Sequence, residues 1–99
     1  MAGAREFEGK VAIVTGGASG IGKATALLLA KGGAAVMICA RHAARIEAAV
    51  ADAAASGIEL HGTVADVTRA DHAHRLIEAT VASLGGIDIL VNNAAIMTT

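Results

Sequence analysis

Three glycines, Gly16, Gly20 and Gly22, follow an apolar run at residues 11–14 and lead into a helical pattern. The run is β-branched and has the composition of a buried strand. The first N–H groups of a helix lack internal partners, and the helix dipole favours negative charge beside them. Because glycine has no Cβ, a phosphate can approach the backbone closely. The spacing G-x-x-x-G-x-G therefore predicts a site for dinucleotide phosphates, with a tight turn and close helix packing as the alternative.

Three further groups of residues with binding chemistry follow predicted strands. They are Ala40-Arg41, Asp66-Val67 and residues 92–95. Ligands of open α/β sheets bind beyond the carboxyl ends of the strands, so we expect these groups to meet the glycine loop at one edge. This convergence is independent of any family resemblance.

The elements that must position these residues alternate between strand and helix. The predicted strands are residues 11–14, 36–40, 58–65 and 87–91, and the predicted helices end at glycines 32–33, 57 and 85–86. Connections of this length require helical crossovers, which make the sheet parallel. The predicted fold is α/β: half of a doubly wound, Rossmann-type sheet in order 3-2-1-4 with helices on both faces, forming a single partial domain over residues 1–99.

The third helix is expected to begin at Thr68–Asp71, which resembles a capping box. Its apolar spacing predicts a buried face made of Ala73, Leu76, Ile77, Thr80, Val81 and Leu84. The fourth strand is apolar on both faces and lies at an open edge of the predicted sheet. An unpaired edge of this kind predicts self-association or a homo-oligomer.

Composition and charge exclude several classes of function. A net charge of −1 and a pI near 6.4 give no excess of positive charge that would favour binding to nucleic acid or to an anionic membrane. One cysteine, Cys39, excludes an internal disulfide and is expected to be buried. Residues 1–10 have mixed charge and no apolar segment, so we expect no signal peptide and a cytoplasmic location. His72 and His74 face different directions on a helix, so no metal site is predicted.

The glycine motif also resembles that of a known family. Residues 15–22, TGGASGIG, resemble the T-G-x-x-x-G-x-G cofactor motif of short-chain dehydrogenases/reductases, and the resemblance continues at Asp66-Val67 and at residues 92–95, NNAA. It covers essentially the whole chain, which is identified as the amino-terminal, cofactor-binding half of such an enzyme. Within the motif, we expect Ser19 to offer its hydroxyl or N–H to phosphate, with Ile21 packed beside it.

The resemblance implies roles for four residues beyond the glycine loop. Asp66 would accept a hydrogen bond from the adenine amino group, and Val67 would line the adenine ring. Asn92 would brace the central sheet, and Ala94 would lie near the ribose on the nicotinamide side. For Asp66 the alternative is a structural role as the N-cap of the following helix.

The end of the second strand discriminates between cofactors. NAD-specific sites usually place an acidic residue there to accept from the ribose 2′-hydroxyl, whereas this chain has Ala40 followed by Arg41. A guanidinium suits a 2′-phosphate, and arginine at this place commonly accompanies NADP in the family. We therefore predict NADP(H) over NAD(H), with a solvated arginine at a helix start as the alternative.

The resemblance implies hydride transfer between nicotinamide and a carbonyl or alcohol carbon of a small substrate. The family's general acid/base is the tyrosine of a Tyr-x-x-x-Lys motif, and this chain has no tyrosine. Without a proton donor the chain alone is expected not to turn over substrate, and no catalytic residue is assigned. The alternatives are a non-catalytic module that binds nucleotide or a partner, and a domain that binds another phosphate ligand such as FMN.

Overall fold

A computed structural model describes residues 6–93. Within this range four strands alternate with three helices, as the sequence predicts. The elements are β1 Val11–Thr15, α1 Gly20–Lys31, β2 Ala35–Ala40, α2 Ala43–Ala55, β3 His61–Val64, α3 Ala70–Leu84 and β4 Ile89–Asn92. The glycines that were expected to stop the helices lie just beyond them, and three adopt positive φ: Gly33 (+104°), Gly57 (+78°) and Gly85 (+91°).

The four strands form one parallel sheet in the order β3-β2-β1-β4, which confirms the predicted topology. After β1 the chain crosses to β2 and β3 on one side, and β4 returns to the other side. The register places Thr15 beside both Cys39 of β2 and Asn92 of β4. The carboxyl ends of these three strands therefore lie at the same level, at the point where the strand order reverses.

Helices cover both faces of the sheet, as expected. Alternate residues of β1 face opposite sides: Ala12 and Val14 pack towards α1 and α2, whereas Ile13 packs towards Leu76 of α3. Alanines of α1 and α2, including Ala26, are buried at these contacts. Small side chains let the helices lie close to the sheet, which explains how a chain with one aromatic residue forms a core.

The face covered by α3 retains exposed apolar surface. In α3, Leu76 and Thr80 are buried as predicted, but Ile77 and Val81 are 49% and 47% exposed, contrary to the prediction. Leu90 of β4 is 64% exposed. Among the described elements α3 alone packs on this face, and β4 is an edge strand that pairs only with β1, so no described element covers these side chains.

Two local predictions are wrong. β3 is shorter than residues 58–65, because the N–H of Ile58 donates to Ala53 O (2.9 Å) and closes the end of α2 instead. The capping box does not form: the N-cap of α3 is Arg69, which makes no side-chain cap. The hydroxyl of Thr68 donates instead to Asp66 Oδ1 (2.6 Å). Asp66 is therefore not an N-cap either.

None of the helices within residues 6–93 is long and apolar enough to cross a membrane.

Candidate functional site

The glycines between β1 and α1 serve different purposes. Gly16 and Gly20 adopt left-handed conformations (φ +65° and +59°), which side chains disfavour. A Cβ on Gly22 would overlap the carbonyl oxygen of Gly16 and lie 2.8 Å from Asn93 Nδ2, whereas a Cβ on Gly20 would meet nothing within 4 Å. Gly22 thus permits close packing between the helix and the loop, which was the alternative explanation for the glycines. Gly20 faces open space in which a ligand can approach.

Some backbone N–H groups of this loop donate hydrogen bonds within the protein, and others have no helical acceptor. The N–H groups of Gly16 and Gly17 donate to Cys39 O at the end of β2 (3.0 and 3.3 Å). Helical bonding in α1 starts with Lys23 N–H to Ser19 O (3.2 Å), so the N–H groups of residues 20–22 have no helical acceptor. Ser19 is the N-cap, yet its hydroxyl makes no capping bond. The loop therefore offers main-chain donors and a hydroxyl to an anion.

A cleft of about 310 Å³ opens at this edge of the sheet. Its walls come from the glycine loop, the end of β2, the start of α2 and the segment after β3. The lining residues are Gly16, Ala18, Ser19, Cys39, Ala40, Arg41, His42, Arg45, Ala65 and Val67. The structure thus brings together three of the four groups that the sequence singled out. A volume of this size is at the lower end for small-molecule sites, which suits one half of a dinucleotide.

Positive charge is concentrated on one wall of the cleft. Arg41 follows β2, and Arg45 lies in the first turn of α2, which contains no acidic residue. Neither arginine forms an ion pair with another residue of the described range 6–93. Arg45 was not among the candidate residues that the sequence indicated. The signal that could have found it is a basic residue in the first turn of a helix, where the dipole disfavours positive charge.

Asp66 and Val67 lie beyond β3. Val67 lines the cleft, and Asp66 is the partly exposed residue before it. The hydroxyl and then the N–H of Thr68 hold the pKa of the Asp66 carboxyl below its usual value, and the charge of Arg41 acts in the same direction. Asp66 is therefore an ionised hydrogen-bond acceptor at neutral pH.

A second cleft of about 290 Å³ lies on the α3 side of the sheet, where β1 and β4 end. Thr15 and Asn92 line it, together with Val67, which is shared with the first cleft. The hydroxyl of Thr15 donates a hydrogen bond to Asn92 Oδ1 (3.1 Å) and accepts one from the N–H of Asn93 (2.8 Å). Asn92 thus ties β4 to β1. Ala94 lies outside the described residues.

Three other residues near the strands and the glycine loop have clear positions. Ile21 is 77% exposed and does not line the first cleft, its N–H belongs to the free group, and its place beside the phosphate site stays a prediction. Cys39 is buried, and burial raises the pKa of its thiol. Asp88 Oδ2 accepts the N–H of Val11 (2.8 Å) at the opposite end of the strands, which is a structural role.

The arrangement can bind an elongated anionic ligand across the end of β1. The amides of the loop suit phosphate, the arginines suit a second anionic group, and the two clefts lie on either side. No group of three or more potential metal ligands occurs among residues 6–93. The geometry thus supplies binding groups for a dinucleotide.

Comparison with known proteins gives consistent results. The family model for short chain dehydrogenases matches residues 10–99. Tropinone reductase-like 3 from Erythroxylum coca is 46% identical over 91 residues, which are 92% of this chain and 35% of that protein. Dehydrogenase/reductase SDR family member 4 from Homo sapiens is 44% identical over 87 residues, 88% of this chain and 31% of that protein.

Solved structures show the same fold. The 2-keto-3-deoxy-D-gluconate dehydrogenase from Streptococcus agalactiae superimposes with a TM-score of 0.89 at 34% identity, over 97% of this chain and 36% of that one. The glucose dehydrogenase of Caenorhabditis elegans gives 0.85 at 43% identity, over 90% of this chain and 39% of that one. The chain spans about a third of the length of these relatives. With its glycine loop, parallel sheet and strand order, it belongs to the short-chain dehydrogenase/reductase family of oxidoreductases.

Proposed function

We propose that this chain is the cofactor-binding part of an oxidoreductase that transfers hydride between NADP(H) and a carbonyl or alcohol carbon of a small molecule. The observation that carries the proposal is a cleft lined by Gly16 and Ser19 of the glycine loop and by Arg41 and Arg45, next to the free N–H groups at the start of α1. Bound nicotinamide supplies the hydride, while the residues of this chain hold and orient the dinucleotide.

The proposal gives each part of the dinucleotide a place. The pyrophosphate lies against residues 16–22, with Ser19 and the first N–H groups of α1 as donors. The adenine half occupies the first cleft, where Asp66 accepts from the amino group and Val67 lines the ring. The nicotinamide half lies on the side of Asn92, at the switch point between β1 and β4.

Preference for NADP(H) over NAD(H) follows from Ala40 and Arg41. An acidic side chain at this wall would accept from the 2′-hydroxyl, and the wall offers none among residues 39–45. Arg41 is exposed at the rim and forms no ion pair within the described range, so its fork of donors is free for a 2′-phosphate.

The substitution Arg41→Asp tests the cofactor preference. Loss of a charge-assisted contact should weaken NADPH binding about ten- to hundredfold, while NADH gains an acceptor for its 2′-hydroxyl, so the preference should reverse. The measurement is fluorescence titration of the full chain with each cofactor. Arg75→Asp makes the same change of charge at an exposed position of α3 and should leave the ratio of NADPH affinity to NADH affinity unchanged. If this affinity ratio is equal in the two variants, the assignment of Arg41 is refuted.

The substitution Gly20→Asp tests the phosphate site itself. A side chain at Gly20 meets no atom within 4 Å, and aspartate is one of the residues that tolerate a left-handed φ, so the fold should bear the change at a cost of about 1 kcal/mol. Its carboxylate would lie against the pyrophosphate. We expect binding of both NADPH and NADH to be lost, with an unchanged circular dichroism spectrum. Tight binding of FMN but not of NADPH by the unaltered chain would instead favour a different phosphate ligand.

A second candidate function is a non-catalytic module that binds nucleotide or a partner. Residues 1–99 contain no tyrosine, the residue that acts as acid/base in the family, so this stretch holds binding groups without that catalytic group. Reading the coding sequence after Thr99 separates the two candidates. A Tyr-x-x-x-Lys motif some tens of residues further on supports the enzyme, and a stop codon supports the module.

Assembly and location are also part of the proposal. The edge strand β4 and its exposed residue Leu90 favour a homo-oligomer or self-association through this edge. The cytoplasmic location inferred from residues 1–10 stays a prediction.

A further inference from the structure

A histidine side chain holds the backbone at the adenine end of the site. The N–H of Asp66 donates to Nδ1 of His72, at 3.0 Å. His72 lies in the first turn of α3 and is half-buried. The preceding N–H, that of Ala65, still pairs with β2 through Ala40 O (2.9 Å). Asp66 is thus the first residue beyond β3 whose amide is held by a side chain rather than by the sheet.

The remaining polar groups of Asp66 are fixed as well, with one exception. Its carbonyl oxygen accepts the N–H of Arg69 (2.9 Å), and its Oδ1 accepts both the N–H and the hydroxyl of Thr68. Within residues 6–93, Oδ2 accepts no hydrogen bond. The second carboxylate oxygen is therefore open to a ligand, and its direction depends on the bonds that fix the rest of the residue.

We propose that His72 is a positioning residue for the cofactor: in its neutral form, with the proton on Nε2, it holds the Asp66 backbone so that Oδ2 points to the adenine amino group. The inference rests on the proposed role of Asp66. An accepting Nδ1 requires the proton to be on Nε2 in the neutral ring. A side chain without an acceptor would leave the Asp66 N–H unpaired and release the turn.

The test measures discrimination between NADPH and its deamino analogue, in which an oxygen replaces the adenine amino group. The unaltered full chain should bind NADPH about ten- to hundredfold more tightly than the analogue, the value of one hydrogen bond to an ionised carboxylate. His72→Ala should abolish this discrimination. His72→Asn should restore it, because its side-chain oxygen can accept at a similar place. His74→Ala is the matched control: it makes the same change at an exposed position of α3 and should keep the discrimination.

The outcomes separate this inference from the proposed function. Failure of the unaltered chain to bind NADPH overturns the proposed function. If the chain binds NADPH and the deamino analogue equally well, the role of Asp66 and the inference that rests on it are both overturned. Discrimination that survives in His72→Ala, or that is lost in both His72 variants, overturns the positioning role alone.

A second measurement needs no variant and covers the case in which His72→Ala does not fold. Nitrogen NMR of the unaltered chain at neutral pH should show Nδ1 of His72 unprotonated and Nε2 protonated. A proton on Nδ1 would overturn the inference.

Discussion

Gly22 offers the sharpest test of how the glycine loop is built. It is buried in the first turn of α1, and its φ is not positive, so alanine is compatible with the backbone. The new Cβ would nevertheless overlap Gly16 O and lie 2.8 Å from Asn93 Nδ2. Gly16 cannot yield freely, because its N–H is held by Cys39 O at 3.0 Å. Either the loop or the first turn of α1 must move.

The magnitude of the effect follows from two opposing contributions. Alanine is favoured over glycine within a helix by about 1 kcal/mol, whereas overpacking a close contact costs about 1–3 kcal/mol. The free energy of unfolding of Gly22→Ala should therefore fall by at most about 2 kcal/mol. Cofactor binding should suffer more, since the parts that must move carry the phosphate donors. Loss of one charge-assisted bond corresponds to about ten- to hundredfold weaker binding of NADPH.

Gly86→Ala is the matched control. Gly86 precedes β4 at the opposite end of the strands, its φ is not positive, and a Cβ there meets nothing within 4 Å. This variant should keep cofactor binding and gain up to about 1 kcal/mol of stability through the unfolded state. Urea unfolding and NADPH titration of both variants provide the comparison. If Gly22→Ala binds NADPH as tightly as Gly86→Ala, close packing at Gly22 does not shape the phosphate site.

Three further predictions concern the strand ends and the sheet edge. Thr15→Val removes the acceptor of a backbone N–H and the link between β1 and β4, so urea unfolding should show a loss of about 1–3 kcal/mol; an unchanged midpoint would contradict this. Leu90→Lys places a charge on the exposed face of β4 and should reduce self-association in sedimentation, unlike Leu28→Lys on α1. An unaltered chain that sediments as a stable, monodisperse monomer would refute the edge proposal. Thr68 holds the pKa of Asp66 below the unfolded value of about 3.9. The stability that this turn contributes is therefore complete above that pH and is lost as the pH falls through the folded pKa. Asp66→Asn should remove this acid-dependent part of the free energy of unfolding, measured between about pH 2 and 5.

The sequence by itself determined the topology and most of the candidate site. Apolar runs of strand length, helical spacings and terminal glycines fix the alternation of elements, and short crossovers leave a parallel sheet as the solution. Because parallel strands end at one edge, the grouping of Gly16, Arg41 and Val67 also followed from their order in the chain. These features depend on local pattern and chain connectivity, which a sequence records directly.

Only the tertiary structure decided the contacts between residues that are distant in sequence. The overlap that a Cβ on Gly22 would make with Gly16, the bond of Thr15 to Asn92 and the exposure of Ile77 depend on how elements pack. The start of α3 shows the same limit on a shorter scale: Thr68 had two uses for its hydroxyl, a helix cap or Asp66, and the path of the chain after β3 selected Asp66. The local sequence allows a polar side chain more than one hydrogen-bond partner. Tertiary packing selects one of them, because only one arrangement satisfies the neighbouring backbone groups.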